Sequence, residues 1–218
     1  MSKFHSGKNP EQIRSSQWLS SSYGFKGHLC RLSLGTSDAA EYPHAAADLL
    51  WGVLSDDGTQ FNWIPVETHG VVKCMNSLAG TINIGDPIIL DYTNSNGTTG
   101  FVKSAYTTET LTAVAPLAVN GNEGNGTYFM PASHGLVNKA VPGSIRVVAK
   151  VGLGVPAVLE QNGTTIVADG THGFGTSTIA YTIDQPSIGY ALDKATSPRQ
   201  LFRVQVAKDR YIKNNTVN

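Results

Sequence analysis

Three histidines could supply metal ligands, and each of them is followed directly by a glycine: His69, His134 and His172. Neutral imidazole binds zinc well, but a zinc site brings three or four such ligands together. No close histidine, cysteine or carboxylate completes a ligand spacing around any of the three. Because glycine marks turns, we interpret them as turn or loop histidines and predict no metal site.

The two cysteines, Cys30 and Cys74, each fall on the apolar face of a predicted strand. A cysteine in that position behaves as a small hydrophobic residue, so the sequence predicts buried free thiols, with a disulfide or a nucleophile as alternatives.

Residues 152–157 look like a dinucleotide-binding loop, but that motif must open a helix, and here a proline and strand-like sequence follow. There is also no Gly-x-Ser-x-Gly elbow. We therefore predict no cofactor.

Carboxylates and aromatic rings offer two further kinds of chemistry. Asp56 and Asp86 could act as the acid and base of a glycosidase, yet both stand in segments that form turns. Four aromatic residues could line a sugar-stacking surface, or pack in a core or between subunits: Trp51, Phe61, Trp63 and Tyr92. The alternation of Phe61 with Trp63 favours packing. None of these patterns predicts catalysis, so we expect a protein that is not an enzyme.

Charge is scarce along the chain as a whole. The 218 residues contain 16 Lys+Arg and 16 Asp+Glu, so the net charge is zero, and charged residues make up only 15%. A neutral chain has no long-range attraction for nucleic acid or anionic lipid. No apolar run reaches the ~20 residues of a membrane span, and the first residues lack the apolar region of a signal peptide. We expect a soluble protein made in the cytoplasm, with neither nucleic acid nor membrane as partner.

The elements that must position these residues are strands. Alternating apolar and polar residues occur in His28–Leu34, Ile145–Val151 and Leu201–Ala207, whereas helical periodicity is almost absent. Strands with one apolar face belong to antiparallel sheets, sandwiches or small barrels. Asn-Gly and Asp-Gly pairs punctuate the strands and predict tight hairpin turns: Asp57-Gly58, Asn96-Gly97, Asn125-Gly126 and Asn162-Gly163.

Four segments follow from changes in composition: 1–24, 25–105, 106–187 and 188–218. The first is polar and serine-rich, and we predict an extended N-terminal arm. The second and fourth are predicted to form one β-barrel body, because the step around Gly52 is echoed by the step around Gly189, and glycine at such a step suggests a bulge or a barrel corner. The third segment, rich in glycine and threonine, is predicted to be a β-rich insertion or second lobe.

The run from Leu29 to Tyr92 and the C-terminal sequence IGYALDKATSPRQLFRVQV carry a recognisable order of features. A strand leads to an apolar-Gly-Val-Leu step, an alternating strand and the turn Ile84-Gly85-Asp86-Pro87-Ile88, and an Ile-Gly-x-Ala-Leu step precedes the last strand. This order resembles that of tailed-phage capsid decoration (cement, or head-stabilising) proteins. The resemblance covers roughly residues 28–105 and 187–207, and it does not extend to the long insertion.

The resemblance implies a barrel-like or β-tulip-like body without catalytic activity, bound to the outer surface of the mature capsid. Its partners would be the major capsid protein and further copies of itself, in dimers or trimers that cement neighbouring capsid subunits. The N-terminal arm would become ordered against the shell, and four residues are its candidate anchors: Phe4, Trp18, Leu19 and Tyr23. The alternative is a head-fibre or tail-associated adhesin whose 106–187 lobe binds a host surface glycan.

Overall fold

The computed structural model describes residues 12–36, 38–46, 48–77, 80–95, 97–119, 122–129, 140–141, 144, 146–150, 158–162, 165–169 and 176–206. Strands dominate this part of the chain, which confirms the all-β prediction. One compact unit contains residues 1–105 and 185–218, and the other contains residues 106–184. The sequence placed the end of the insertion at 187 rather than 184. No helix among the described residues is long and apolar enough to cross a membrane.

The elements follow one another along the chain as β1 (Ile13–Trp18), β2 (Leu29–Leu32), β3 (Ala39–Glu41), β4 (Gly52–Leu54), β5 (Trp63–Glu67), β6 (Gly70–Met75), β7 (Pro87–Leu90), α1 (Tyr92–Ser95), β8 (Val102–Ser104), β9 (Tyr106–Val119), β10 (Asn122–Phe129), β11 (Arg146–Lys150), β12 (Val158–Asn162), β13 (Thr165–Asp169), β14 (Thr176–Thr182), β15 (Ser187–Ala191) and β16 (Leu201–Val206). The first unit contains β1–β8, β15 and β16, and the second contains β9–β14.

The first unit begins with a closed barrel of strand order β1-β3-β2-β4-β5. Strand β1 closes it, because β1 pairs antiparallel with β5 over five positions and parallel with β3 over two. The predicted arm over residues 1–24 is therefore wrong for Ile13–Trp18. In this strand Ser16 and Trp18 are buried while Ser15 is exposed, so small serines conceal an ordinary strand alternation. Residues 1–11 lie outside the described residues.

The rest of the first unit is a five-stranded antiparallel sheet of order β6-β16-β15-β7-β8. Its central strand β15 pairs with β16 on one side and β7 on the other. The two outer strands also approach each other, since a single parallel bridge joins Asn76, directly after β6, to Val102 in β8. Strands β15 and β16 lie in the first unit, but they belong to this sheet and not to the closed barrel, so the prediction of one barrel body closed by the C-terminal strands is wrong.

Two hydrophobic cores fill the first unit, and strands β2 and β4 contribute to both. Successive side chains of a strand point to opposite faces, so Cys30 and Leu54 face the barrel interior while Leu29 and Val53 face the sheet. The barrel core consists of Trp18, Cys30, Ala40, Tyr42, Leu54, Ile64 and Val66. The larger sheet core includes Val72, Cys74, Ile88, Leu90, Phe202 and Val204. Burial on both faces explains why β4 is apolar throughout.

The two glycines of the internal echo allow close approach between neighbouring strands. A Cβ atom at Gly189 would lie 2.0 Å from the carbonyl oxygen of Gln205, and one at Gly52 would lie 2.6 Å from that of Glu67. Neither position has room for a side chain. The β15–β7 register also shifts between Ser187 and Gly189, so the predicted bulge is present at the second glycine.

The second unit is a six-stranded antiparallel sheet of order β11-β14-β9-β10-β13-β12. Asn162 pairs with Thr165, which confirms the hairpin predicted at Asn162-Gly163. The turn predicted at Asn125-Gly126 is wrong, because both residues lie inside β10 and pair with β13. The pairing of β10 with β9 shifts on either side of Asn125, so the expected turn residue marks an irregularity in the strand instead.

Candidate docking surface

One end of the barrel presents exposed aromatic side chains on two joined segments, residues 19–25 and 57–63. The first segment follows β1, and the second connects β4 to β5. We define the docking surface as the side chains of five residues on these segments: Leu19, Tyr23, Phe25, Phe61 and Trp63. Phe61 and Trp63 are 60% and 64% exposed, and Tyr23 and Phe25 are each 43% exposed. Leu19 is half-buried.

Backbone hydrogen bonds join the two segments. Gly24 and Gly58 exchange a reciprocal pair of N–H···O bonds at 2.8 and 2.9 Å. Beside this pair, the amide of Lys26 donates to the Asp57 carboxylate at 2.7 Å. Segment 19–25 is therefore attached along its length to the connection between β4 and β5, and it lies over the barrel end rather than extending away from it.

Trp63 faces outward because of the alternation of β5. Ile64 and Val66 point into the barrel core, so Trp63 points to the opposite face, where it lies beside its β1 partner Gln17. A tryptophan has only two side-chain torsion angles, so little side-chain entropy is lost when a partner covers it. The predicted packing of Trp63 in a core is thus wrong, while packing against another subunit stays a prediction.

Phe61 has a left-handed backbone, with φ at 66°. Such a conformation is a genuine outlier for a bulky residue. Backbone bonds hold it in place: Phe61 N–H donates to the Trp18 carbonyl at 2.6 Å, and Trp18 N–H donates to the Asn62 carbonyl at 2.8 Å. The Gln60 side-chain amide adds a bond to the Leu19 carbonyl at 2.9 Å. These bonds therefore fix the backbone of the turn and the direction of the Cα–Cβ bond of Phe61.

A buried hydrogen-bond network fixes the other half of the surface. The Tyr42 hydroxyl donates to the Tyr23 carbonyl at 2.8 Å and accepts from the Phe25 amide at 3.1 Å. It also lies 3.0 Å from Nδ1 of His28, which accepts from the Gly100 amide at 3.2 Å. Tyr42 belongs to the barrel core. One core tyrosine therefore sets the backbone of both exposed aromatic residues of segment 19–25.

His28 is held in its neutral form. Burial lowers its pKa to about 4; the negative charge of Asp57 opposes that change and the positive charge of Arg199 adds to it. The ring packs between Phe25 and Phe101, with centroids 5.3 and 4.5 Å away. Its Nε2 is buried and has no hydrogen-bond partner among the described residues. A proton on this ring would bring a charge into an apolar site, which burial disfavours.

The docking surface is uncharged. Residues 15–22 and 58–63 contain no Asp, Glu, Lys or Arg, and apart from their apolar residues and Gly58 they consist of serine, threonine, asparagine and glutamine. Asp57 is the one charged residue within the two segments, and Arg14, Lys26 and Asp56 are the nearest charged residues beyond them along the chain. Rigid aromatic rings among small neutral hydrogen-bonding groups are typical of protein-binding surfaces.

The four predicted anchor residues have different outcomes. Phe4 lies outside the described residues. Trp18 is fully buried, with its ring packed edge-on against Tyr42 at 4.7 Å, so its prediction as a capsid contact is wrong. Leu19 and Tyr23 lie on the docking surface, and their binding role stays a prediction. Trp18 is buried because β1 is a barrel strand, whereas the two later residues follow that strand.

The sequence did not indicate that Phe61, Trp63 and Phe25 are exposed. The interpretation of Phe61 and Trp63 as packing residues ignored the buried Ile64 and Val66, whose alternation already sends Trp63 outward. Of the other aromatic candidates, Trp51 packs partly buried against the barrel core and Tyr92 against the sheet core. Nothing in the sequence indicated the left-handed backbone of Phe61, since only a glycine or asparagine would have signalled it.

The cysteines and aspartates that the sequence offered for chemistry are part of the core and of turns. Cys30 and Cys74 are buried free thiols, as predicted, and burial raises the pKa of both above the ordinary cysteine value. Asp86 accepts from the Asn83 amide, and Asp56 accepts from the Asp57 amide, in the turns predicted for them. No group of three or more metal-ligating side chains occurs among the described residues.

Two further polar clusters hold loops in place. Arg31 pairs with Glu41 at 2.9 Å and with Asp48 at 3.0 Å, which fixes the connection between β3 and β4. Buried Asp91 accepts from Ser77 and Asn94 and lies 3.4 Å from the Lys103 ammonium. These contacts join the ends of β6, β7 and β8, so their charges are engaged within the fold.

The sequence matches no protein-family model, and no curated protein matches it either. The docking surface offers interactions suited to binding, because it presents four aromatic rings and a leucine. Stacking, burial of apolar area and neutral hydrogen bonds are the interactions it offers to a partner.

Proposed function

We propose that this protein is a virion structural protein that binds the outer surface of a mature capsid and cements neighbouring major capsid protein subunits. The single observation that carries the proposal is the docking surface: two exposed aromatic residues, Phe61 and Trp63, on a closed barrel, with a hydrogen-bonded backbone beneath them. The resemblance of residues 28–105 and 187–207 to tailed-phage decoration proteins supports the choice of partner.

The physical task of a cement protein is to add buried interface across the seams of a shell. A standard interface buries about 1,600 Å², and a few aromatic residues near its centre supply most of the binding energy. Many copies on one shell multiply weak contacts, particularly where copies also contact each other as dimers or trimers. A closed barrel suits this task because it has no free strand edges that would add further strands.

Co-sedimentation with expanded capsids that lack this protein tests the proposal. The wild-type chain should saturate at a fixed number of copies per capsid subunit. The double variant Phe61→Ser with Trp63→Ser should bind at least about tenfold more weakly, because it removes the two largest anchors. Leu34→Ser is the matched control: Leu34 is 91% exposed on the connection between β2 and β3, outside the docking surface.

Three outcomes would count against the proposal or reassign the surface. Folded wild-type protein that does not sediment with capsids contradicts it. If the double variant and the Leu34→Ser control lose capsid affinity equally, nonspecific hydrophobic adsorption, rather than the docking surface, drives binding. Retention on polysaccharide without any capsid binding supports the adhesin alternative instead, and analytical ultracentrifugation of the free protein tests self-association.

A further inference from the structure

Phe61 combines a left-handed backbone with an exposed aromatic ring. Its backbone lies in the left-handed region, which costs free energy for any residue with a side chain. Its ring is mostly exposed, so burial of the ring within the described part of the chain returns little of that cost. A glycine would adopt the same backbone without strain. The phenylalanine therefore costs the free protein stability, and its ring makes few contacts in return.

The turn around Phe61 is held from both sides by groups that leave the ring uncovered. Asn62 N–H donates to the Thr59 carbonyl at 3.1 Å, and the Asn62 side-chain amide donates to the Thr59 hydroxyl at 2.9 Å. The Gln60 amide reaches across to Leu19 in the other segment. Strain of this kind persists only where the surrounding structure over-determines it. These bonds fix the backbone from which the Phe61 ring projects before any partner arrives.

We infer that Phe61 is the preorganised anchor of the docking surface, that Gln60 is its positioning residue, and that the anchor enters an uncharged apolar patch of a capsid subunit. This inference rests on the proposed function for the identity of the partner. Preorganisation lowers the entropy lost on binding, which is how a strained residue improves affinity. An uncharged patch follows from complementarity, because residues 15–22 and 58–63 offer no charge to a charged partner.

Three single variants separate strain from anchoring. Phe61→Gly should raise the melting temperature by about 2 °C, because it relieves the left-handed backbone, and should weaken capsid binding at least about tenfold. Phe61→Ala should weaken binding equally without raising the melting temperature. Arg199→Gly is the matched control, since Arg199 is also exposed and left-handed, with φ at 58°. It should raise the melting temperature and leave capsid binding unchanged.

The positioning role of Gln60 requires a measurement that the loss of a merely structural residue would not change. Gln60→Ala should weaken capsid binding about fivefold in the wild-type background, with an unchanged melting temperature. In the Phe61→Ala background the same change should have no further effect, because the ring that Gln60 positions is absent. An equal loss in both backgrounds would overturn the positioning role.

The affinity for capsids should also change less than about threefold between about 50 mM and 500 mM salt. A steep loss of affinity with salt would show that the capsid patch is charged and would overturn that part of the inference.

Different results would contradict the inference and the proposed function. Wild-type protein that fails to bind capsids refutes the proposed function, and the partner named in the inference is refuted with it. If the Phe61→Gly variant melts at a lower temperature than the Phe61→Ala variant, the backbone strain at this position is refuted. This result does not depend on capsid binding. Full capsid binding by Phe61→Gly, with wild-type binding intact, overturns the anchor alone.

Discussion

The two outward faces of the first unit differ in charge although both expose apolar side chains. The docking surface at the barrel end is aromatic and uncharged. The outer face of the five-stranded sheet exposes Val71 and Leu201. Between them, Lys73 lies directly opposite Arg203, and Asp193 accepts two hydrogen bonds from the Arg203 side chain, at 2.7 and 2.9 Å. Exposed apolar area alone therefore does not distinguish a binding surface in this molecule.

What distinguishes the two faces is how each holds its side chains. On the sheet, charged and apolar residues alternate across strands, which is an ordinary solvated surface that also discourages pairing with other sheets. At the barrel end, hydrogen bonds from Gln60 and Tyr42 fix aromatic residues that the chain itself leaves uncovered. The two faces therefore differ in how the backbone beneath the exposed side chains is held rather than in hydrophobicity, and this difference is the basis on which we propose the barrel end as the docking site.

The largest effect should come from emptying either core beneath these faces. Trp18→Ala in the barrel core and Phe202→Ala in the sheet core should each lower the free energy of unfolding by about 3–5 kcal/mol. Only Trp18→Ala should also weaken capsid binding, because the cavity it leaves lets the backbone of residue 18 shift, and that backbone bonds to the Phe61 turn. Urea unfolding and co-sedimentation, at a temperature where both variants are folded, measure the two effects. Equal binding losses would remove the distinction between the faces.

Acid should destabilise the barrel end through His28. Its folded pKa of about 4 lies below the unfolded value of 6.5, so the unfolded chain takes up a proton first as the pH falls. Stability is therefore complete above pH 6.5 and declines by about 3 kcal/mol as the pH falls to 4.

Urea unfolding at several pH values, compared with a His28→Gln variant, isolates this contribution from the titration of carboxylates. The variant should lose this part of the pH dependence, while the exposed-site control His44→Gln should keep it. A wild-type curve that is parallel to that of His28→Gln would show that His28 is protonated in the folded protein.

Trp63→Ala should change the free energy of unfolding by less than about 0.5 kcal/mol, because an exposed side chain leaves no cavity when it is removed. Capsid binding should nevertheless fall about tenfold. Thermal unfolding and co-sedimentation of the same preparation test both halves. A fall in stability of several kcal/mol would place Trp63 in a core, as its alternation with Phe61 first suggested.

The smallest effect should come from the sheet face. The double variant Lys73→Gln with Arg203→Gln should leave capsid binding unchanged, since this face is not expected to dock. The hydrogen bonds from Arg203 lower the pKa of Asp193 to about 2, so the variant should raise the pKa of Asp193 towards its ordinary value, as measured by NMR titration. A tenfold loss of capsid binding would move the docking site to the sheet.

Strand periodicity predicted the parts of this fold that have one apolar face. Leu201–Val206 is the clearest, because its alternation survives intact as β16. Strand β1 was missed because serine occupies both faces, so that its single inward tryptophan looked like an isolated anchor. Strand β4 shows no alternation either, since both of its faces are buried.

The candidate site was less predictable than the fold. Leu19 and Tyr23 could be named from their apolar character in a polar segment, but the partners of that segment are distant in sequence. Gly58 and Gln60 meet segment 19–25, and Phe61 meets Trp18, only because the barrel closes. Contacts between segments some forty residues apart depend on topology, which a single sequence does not reveal.

The position of strand β7 also makes the first unit suitable for carrying a different inserted domain. The chain leaves through β8, whose Ser104 lies opposite Ile88, and returns through β15, whose Ser187 lies opposite Ile89. Because β8 and β15 flank the same strand, exit and return are separated by two strand spacings, about 10 Å. A linker of a few residues spans that gap, so a foreign domain with neighbouring termini could occupy the place of residues 106–184 and be displayed on the same scaffold.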